Sequence, residues 1–179
     1  MPEVLPPTGV VAGVEIERKF RLRAAPQADV LEAHGAVPRR LEQVYLESPP
    51  SGRRVRRIEH ADGRIEHRLT RKQKLRAFAF HEEEERVDPD RYESLLLQAD
   101  PERRPIRKTR HLVQHGSQVL EIDVFDVPPG LVLVEVELQH DDEAVELPGW
   151  LGEWREVTDD PVFGNANLAR PGTVIPPWK

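Results

Sequence analysis

Four pairs of acidic residues stand two apart in this chain: Glu15 and Glu17, Glu82 and Glu84, Glu121 and Asp123, Glu135 and Glu137. Basic residues repeat the spacing at Arg54 and Arg56 and at Lys108 and Arg110, and Lys72 stands two residues after Thr70. In an extended strand, residues i and i+2 point to the same face. On one strand alone, such alternation ordinarily places charge in water and apolar residues in a core. Here the signs are sorted strand by strand, although like charges on neighbouring positions repel. A solvated surface has no need of that sorting. A site for something both anionic and metal-bearing has such a need, because carboxylates hold hard divalent cations through oxygen. Arginine and lysine hold phosphate oxygens, arginine in bidentate fashion. The charged faces are therefore expected to point inward, and the apolar faces outward under covering helices.

The elements that must carry these pairs follow from pattern and turn chemistry. Strands are predicted over Val14 to Arg23, Leu41 to Leu46, Arg53 to Glu59, Arg64 to Lys72, Phe78 to Val87, Arg104 to Gln114, Gln118 to Val127 and Leu131 to Gln139. Asp62-Gly63 and His115-Gly116-Ser117 join two of the pairs as hairpins, and Ser48 to Gly52 forms a loop. Short helices are predicted over Pro26 to His34, stopped by Gly35, and after Asp88, a capping residue, with Tyr92, Leu95 and Leu96 on one face. Further helices are expected after Asp141 and within Asp160 to Ala169. The fold class is thus α+β, predominantly antiparallel β. Eight such strands can close into a barrel. In the acidic run Glu82 to Glu85 the register stays open, because a one-residue slip would turn Glu83 and Glu85 inward instead.

Composition narrows the function. The 179 residues predict a single domain, residues 1–179, with residues 1–12 as a flexible lead-in. The absence of cysteine excludes disulfides, thiolate zinc sites and a cysteine nucleophile. A net charge of −6 argues against general nucleic-acid binding. No stretch is long and apolar enough to span a membrane. Met1 to Val11 lacks the pattern of a secretory signal, so a cytoplasmic location is expected.

Glu15-Ile16-Glu17-Arg18-Lys19 resembles the Glu-x-Glu-x-Lys signature of the CYTH family, the triphosphate tunnel metalloenzymes. The likeness continues in order through Gln43 to Leu46, Arg54-Val55-Arg56, Leu69 to Lys72, Glu82 to Glu84, Arg107 to Arg110, Glu121 to Phe125, Val134 to Glu137 and Glu156 to Asp160 with Asn165 and Leu168. Arg68 departs from it, standing on the face of Thr70 and Lys72 where an uncharged residue is expected. The resemblance implies a closed eight-stranded barrel whose bore is crossed by a small triphosphate. It also implies that Arg54, Arg56, Lys72, Lys108 and Arg110 clamp the substrate, with Tyr45 either packing in the core or touching it. Lys19 and Glu17 would be catalytic, Lys19 reaching the reacting phosphate. Glu15, Glu17, Glu82, Glu84, Glu121, Asp123, Glu135 and Glu137 would offer oxygens to magnesium or manganese.

The compact length resembles bacterial members that hydrolyse inorganic triphosphate, which makes a triphosphatase the leading expectation. Class IV adenylate cyclase and thiamine triphosphatase are the alternatives in the same fold, and a non-catalytic polyphosphate-binding module is the alternative of another class. No aromatic pair or Asn/Gln cluster in the sequence demands a base. A homodimer is compatible with this reading. Arg53 and Arg57 are expected at the surface, the seven histidines show no metal spacing, and Trp150, Trp154 and Trp178 are expected to pack or cover.

Overall fold

A computed structural model describes residues 10–50 and 52–178. Its strands are β1 (Val10–Leu22), β2 (Val37–Tyr45), β3 (Arg53–His60), β4 (Ile65–Arg76), β5 (Ala79–Val87), β6 (Ile106–His115), β7 (Gln118–Val127), β8 (Val132–Leu138) and β9 (Trp154–Glu156). The helices are α1 (Ala28–Ala33), α2 (Pro89–Leu96) and α3 (Asn165–Leu168). Strand order is β5-β4-β3-β2-β6-β7-β8-β1-β9, and a further β5–β1 pairing closes the first eight strands into a barrel. Every pairing is antiparallel. β1 presents one edge to β8, from Ile16 opposite Leu138 to Arg21 opposite Leu133. Its other edge runs along β5 as far as Ile16 opposite Ala79, then meets β9 at Phe20 opposite Glu156. Of the expected lead-in, residues 10–12 belong to β1, and residues 1–9 lie outside the described residues. Ser51 of the expected loop does too.

Two apolar layers cover the outside of the barrel. Leu31 of α1 packs with Phe20, Leu22, Val113, Leu120, Ile122, Val134 and Val136. Tyr92 and Leu95 of α2 pack on Val44, Val55 and Val87. The Asp88 side chain accepts from the Arg91 N–H at 2.8 Å and caps α2 as expected.

The expected helix after Asp141 does not form. That stretch instead carries a single 3-10 turn at Gly149–Leu151 and then β9. Pro148 precedes the turn and Gly152, at φ 74°, ends it, so neither side supports a longer helix. The last segment gives a 3-10 turn at Pro161–Phe163 and the short α3, but it covers no outer face. Val157, Phe163, Leu168 and Ala169 instead pack among Tyr45, Ile106, Phe125, Leu131 and Leu133, filling one end of the barrel. Phe163 is 1% exposed, and burying a ring of that size stabilises by roughly 1.5–3 kcal/mol.

Among the described residues no helix is long and apolar enough to cross a membrane.

Candidate active site

Strand register decides which side chains meet. Lys72 stands opposite Glu82 and Thr70 opposite Glu84. Arg54 stands opposite Thr70 and Arg56 opposite Arg68, Arg56 opposite Gln43, Arg110 opposite Asp123, Glu121 opposite Glu135, and Glu17 and Lys19 opposite Glu137 and Glu135. All of these belong to one inner face. This fixes the acidic run: Glu82 and Glu84 point inward. Glu83 and Glu85 point outward, Glu85 pairing with Arg91 and Glu83 with His81.

The inner face encloses a polar cavity of about 160 Å³ lined by every paired acid named above except Asp123, together with Arg54, Arg56, Lys72, Lys108 and Arg110. Lys19 stands just outside it, at a wider vestibule that shares Glu17, Arg54, Lys72 and Asn165 with the bore. That vestibule, of about 430 Å³, opens where the edge of β1 passes from β5 to β9. Phe78, Phe80 and Tyr45 also line it. Gly52 lets the β2–β3 loop lie against β4: at φ 78° it accepts from the Lys72 N–H at 3.1 Å, and a Cβ there would collide with the Lys72 carbonyl.

The opposite charges neutralise one another pair by pair. Lys19 Nζ lies 2.9 Å from Glu135 and 3.7 Å from Glu17, and donates to the Phe163 carbonyl at 3.4 Å. Lys72 donates to Glu17 at 2.9 Å, pairs with Glu15, and sits 4.4 Å from the centre of the Phe80 ring. Arg54 reaches Glu82 at 3.4 Å, and Arg56 pairs with Glu84. Asp123 is fully buried; it accepts two bonds of 2.7 Å from Arg110 and pairs with Lys108, which is itself 2% exposed. Arg110 also reaches Glu135 at 2.9 Å and pairs with Glu121.

Titration follows this geometry. Burial opposes charge on Lys19, yet Glu135 and Glu17 outweigh it and raise its pKa. Burial would raise Glu135, but Lys19, Lys108 and Arg110 hold it well below the ordinary range. Lys108 is lowered, because burial and repulsion from Arg110 prevail over Asp123. Glu137 is pushed up to about 8, by burial first and then by Glu121 and Glu15, and as the protonated partner it shares a hydrogen bond with Glu15.

The Nε groups of Arg54 and Arg56 are buried without a hydrogen-bond partner, and unsatisfied buried donors are costly. The carboxylates are drawn onto cations, so among the described residues no group of three or more acids or histidines is gathered for a metal. The donor set is nonetheless all oxygen. A divalent cation among Glu15, Glu121 and Glu137 would relieve the crowding that holds a proton on Glu137.

The structure brings every expected site residue except Asp123 to the lining of the bore or its vestibule; Asp123, expected among the metal ligands, lies fully buried behind Arg110 and Lys108. Tyr45 does both things considered for it: it packs in the end core and lines the vestibule, its hydroxyl accepting from Gln43 at 3.1 Å. Arg53 lies outside the bore, reaching Gln98 at 3.1 Å, and so does Arg57, paired with Glu59 at 3.1 Å. Trp150 stacks on His34, Trp154 meets Phe20 edge-on, and Trp178 lies against Arg21 and Arg155.

Six further residues line the bore: Arg39, Leu41, Gln43, Ile58, Arg68 and Asn165. Period-two continuation from Leu41 could have found Arg39 and Gln43. Arg68 shares the face of Lys72 and pairs with Glu66 and Glu84. Asn165 carries no periodic signal, since it enters from the C-terminal segment.

A crystal structure of the inorganic triphosphatase NE1496 aligns over 91% of this chain and 97% of its own, with a TM-score of 0.54 and 29% identity. A second crystal structure of NE1496, described as a hypothetical protein, aligns at 31% identity over 90% of this chain and 99% of its own, with a TM-score of 0.53. This chain belongs to the CYTH family of triphosphate tunnel metalloenzymes. An inorganic triphosphatase of Acetivibrio thermocellus is 38% identical over 66 residues, which span 36% of this chain and 41% of that relative's length. The CYTH barrel also matches a Pyrococcus horikoshii protein at 22% identity, with a TM-score of 0.52 over 72% of this chain and 80% of its own, a likeness of fold. No family model matches the chain.

Proposed function

We propose that the chain hydrolyses inorganic triphosphate to pyrophosphate and phosphate inside the bore, with magnesium or manganese. The observation that carries this reading is one cavity lined together by the cationic donors of Arg54, Arg56, Lys72, Lys108 and Arg110 and by seven carboxylates. Phosphate oxygens suit those donors. Glu15, Glu17, Glu82, Glu84, Glu121, Glu135 and Glu137 would hold the divalent ions, which supply charge neutralisation and a polarised water. Asp123, both of whose oxygens are taken by Arg110 and Lys108, orients those two cations.

The clamp residues hold the polyanion in line, and Lys19 meets its terminal phosphate at the vestibule end. Positioning and preorganised charge then supply most of the rate. The relatives described as inorganic triphosphatases support the substrate. The location expected is the cytoplasm.

One observation favours a second reading, an organic triphosphate such as thiamine triphosphate or ATP. Phe78 and Phe80 give the vestibule an aromatic wall that the sequence did not announce. The test is phosphate release from inorganic triphosphate, ATP and thiamine triphosphate side by side, with magnesium or manganese and with a chelator control. Cyclic AMP is read in the ATP sample. Metal-dependent release from inorganic triphosphate that is lost in Glu17→Gln, with the fold intact, is the expected result. Release confined to an organic triphosphate would replace the first reading with the second. Release from none of the three, with cyclic AMP formed in the ATP sample, would point to an adenylate cyclase; with neither product it would leave a polyphosphate-binding module.

A further inference from the structure

Beyond the bore, β4 carries one more cation. Lys74 follows Lys72 by two residues, so both side chains leave the strand on its inner face, and Lys74 stands opposite Phe80 as Lys72 stands opposite Glu82. Lys74 lines the vestibule beside Phe78 and Phe80. It is exposed, and among the described residues it makes no hydrogen bond, ion pair or ring contact.

Every other cation that lines the vestibule is engaged. Lys19 lies 2.9 Å from Glu135, Arg54 reaches Glu82 at 3.4 Å and Lys72 donates to Glu17 at 2.9 Å. A polyanion that reaches them must displace a carboxylate, and Lys74 requires no such exchange. The acids that share the vestibule leave it alone. Glu17 is held by Lys72 and Lys19, the Asp160 carboxylate accepts from the Val162 N–H at 3.0 Å, and among the described residues neither Asp159 nor Asp160 forms an ion pair. A strand advances about 3.3 Å per residue, which sets the stems of Lys72 and Lys74 roughly 6–7 Å apart, close enough to grip one phosphate between them.

We propose that Lys74 is a substrate-binding residue: it meets the incoming inorganic triphosphate in the vestibule and holds the phosphate left nearest the mouth once the chain is seated in the bore. The inference rests on the proposed function for its choice of ligand, but the contact itself needs neither metal nor turnover. The ammonium is a compact charge on a mobile stem. It adds attraction rather than fixed geometry, so its loss falls on affinity and not on the chemical step.

The test is calorimetric binding of inorganic triphosphate to the full-length chain in chelator, at low salt and at about 1 M salt. It compares wild type with Lys74→Gln, Lys74→Arg and Arg40→Gln. The last makes the same change in net charge on the outer face of β2, where Arg40 pairs with Asp126. At low salt Lys74→Gln should weaken binding by about threefold to tenfold. Lys74→Arg should keep most of the affinity, and Arg40→Gln should stay within about twofold of wild type. The deficit should close at high salt, where the screening length falls to about 3 Å. In turnover with magnesium the same loss should appear in KM, with kcat within about twofold. Lys74→Gln that binds as wild type does at low salt, that loses no more than Arg40→Gln, or that keeps its deficit at high salt overturns the assignment. Wild type that fails to bind in chelator overturns it too, while the hydrolase reading is judged separately by phosphate release. Binding that depends on Lys74 without phosphate release overturns the hydrolase reading and leaves the site.

Discussion

Replacing Asp123 by asparagine removes one negative charge from the driest part of the bore. Asp123 is fully buried, bonded twice to Arg110 at 2.7 Å and paired with Lys108. Arg110 keeps Glu135 at 2.9 Å and Glu121, so the group left exposed to the loss is Lys108. Removing one member of a buried pair costs about 3–5 kcal/mol. The ceiling agrees: a lysine that sheds its proton at pH 7 instead of staying charged gives up at most about 4.6 kcal/mol, from an ordinary pKa near 10.4. Burial and Arg110 already lower the Lys108 pKa, which points to the lower end, about 3 kcal/mol. For a chain of 179 residues, that lowers the thermal midpoint by roughly 6–12 °C. The assay is thermal unfolding of wild type and Asp123→Asn in chelator, repeated with inorganic triphosphate. The polyanion should bind the variant more tightly than wild type, because it meets cations with one fewer internal partner. A midpoint within about 2 °C of wild type in chelator would refute the reasoning and return Asp123 to the metal ligands.

Two further outcomes are expected. Glu137 has its folded pKa raised to about 8 from the ordinary glutamate value of 4.5, so the fold prefers its protonated form; its contribution is full below the unfolded pKa and is lost as pH rises through 8. The midpoint of metal-free wild type should therefore fall relative to Glu137→Gln between pH 5 and pH 9, and parallel curves would contradict the crowding of Glu15, Glu121 and Glu137. Phe163→Ala, at a position 1% exposed, should cost about 3–5 kcal/mol in urea unfolding with the slope unchanged; a cost under about 1 kcal/mol would mean that the C-terminal segment does not fill the barrel end.

The inward charged faces were legible because a strand repeats every two residues, and each acidic or basic pair carries its own face assignment. Hairpins at Asp62-Gly63 and Gly116 were legible from turn chemistry. The choice between Glu82/Glu84 and Glu83/Glu85 was not, since both alternations fit the run; it is settled by pairing with Lys72 and Thr70 and by closure on β1. The start of β2 was also hidden, because Pro38 and two arginines interrupt the apolar pattern that signals a strand. Least visible was the role of residues 157–169. Their apolar positions announce burial but not where, and only the tertiary fold places Phe163 inside the barrel and Asn165 at its bore. The same holds for the aromatic wall, since Phe78 and Phe80 flank a strand start and read there as ordinary strand residues.

The divided pairing of β1 has a consequence for how the molecule is assembled. Most ladders join neighbours along the chain, but Ile16 must find Leu138 and Phe20 must find Glu156. Contacts of such long sequence separation form slowly, because the loop they close is long. Until they form, β1 and β8 are both open edges, and open edges template association between chains. The strand made before all its partners thus waits for the last of them. A weakened β1 would first be felt in the rate of refolding and in the concentration at which chains aggregate, before any change in the finished barrel.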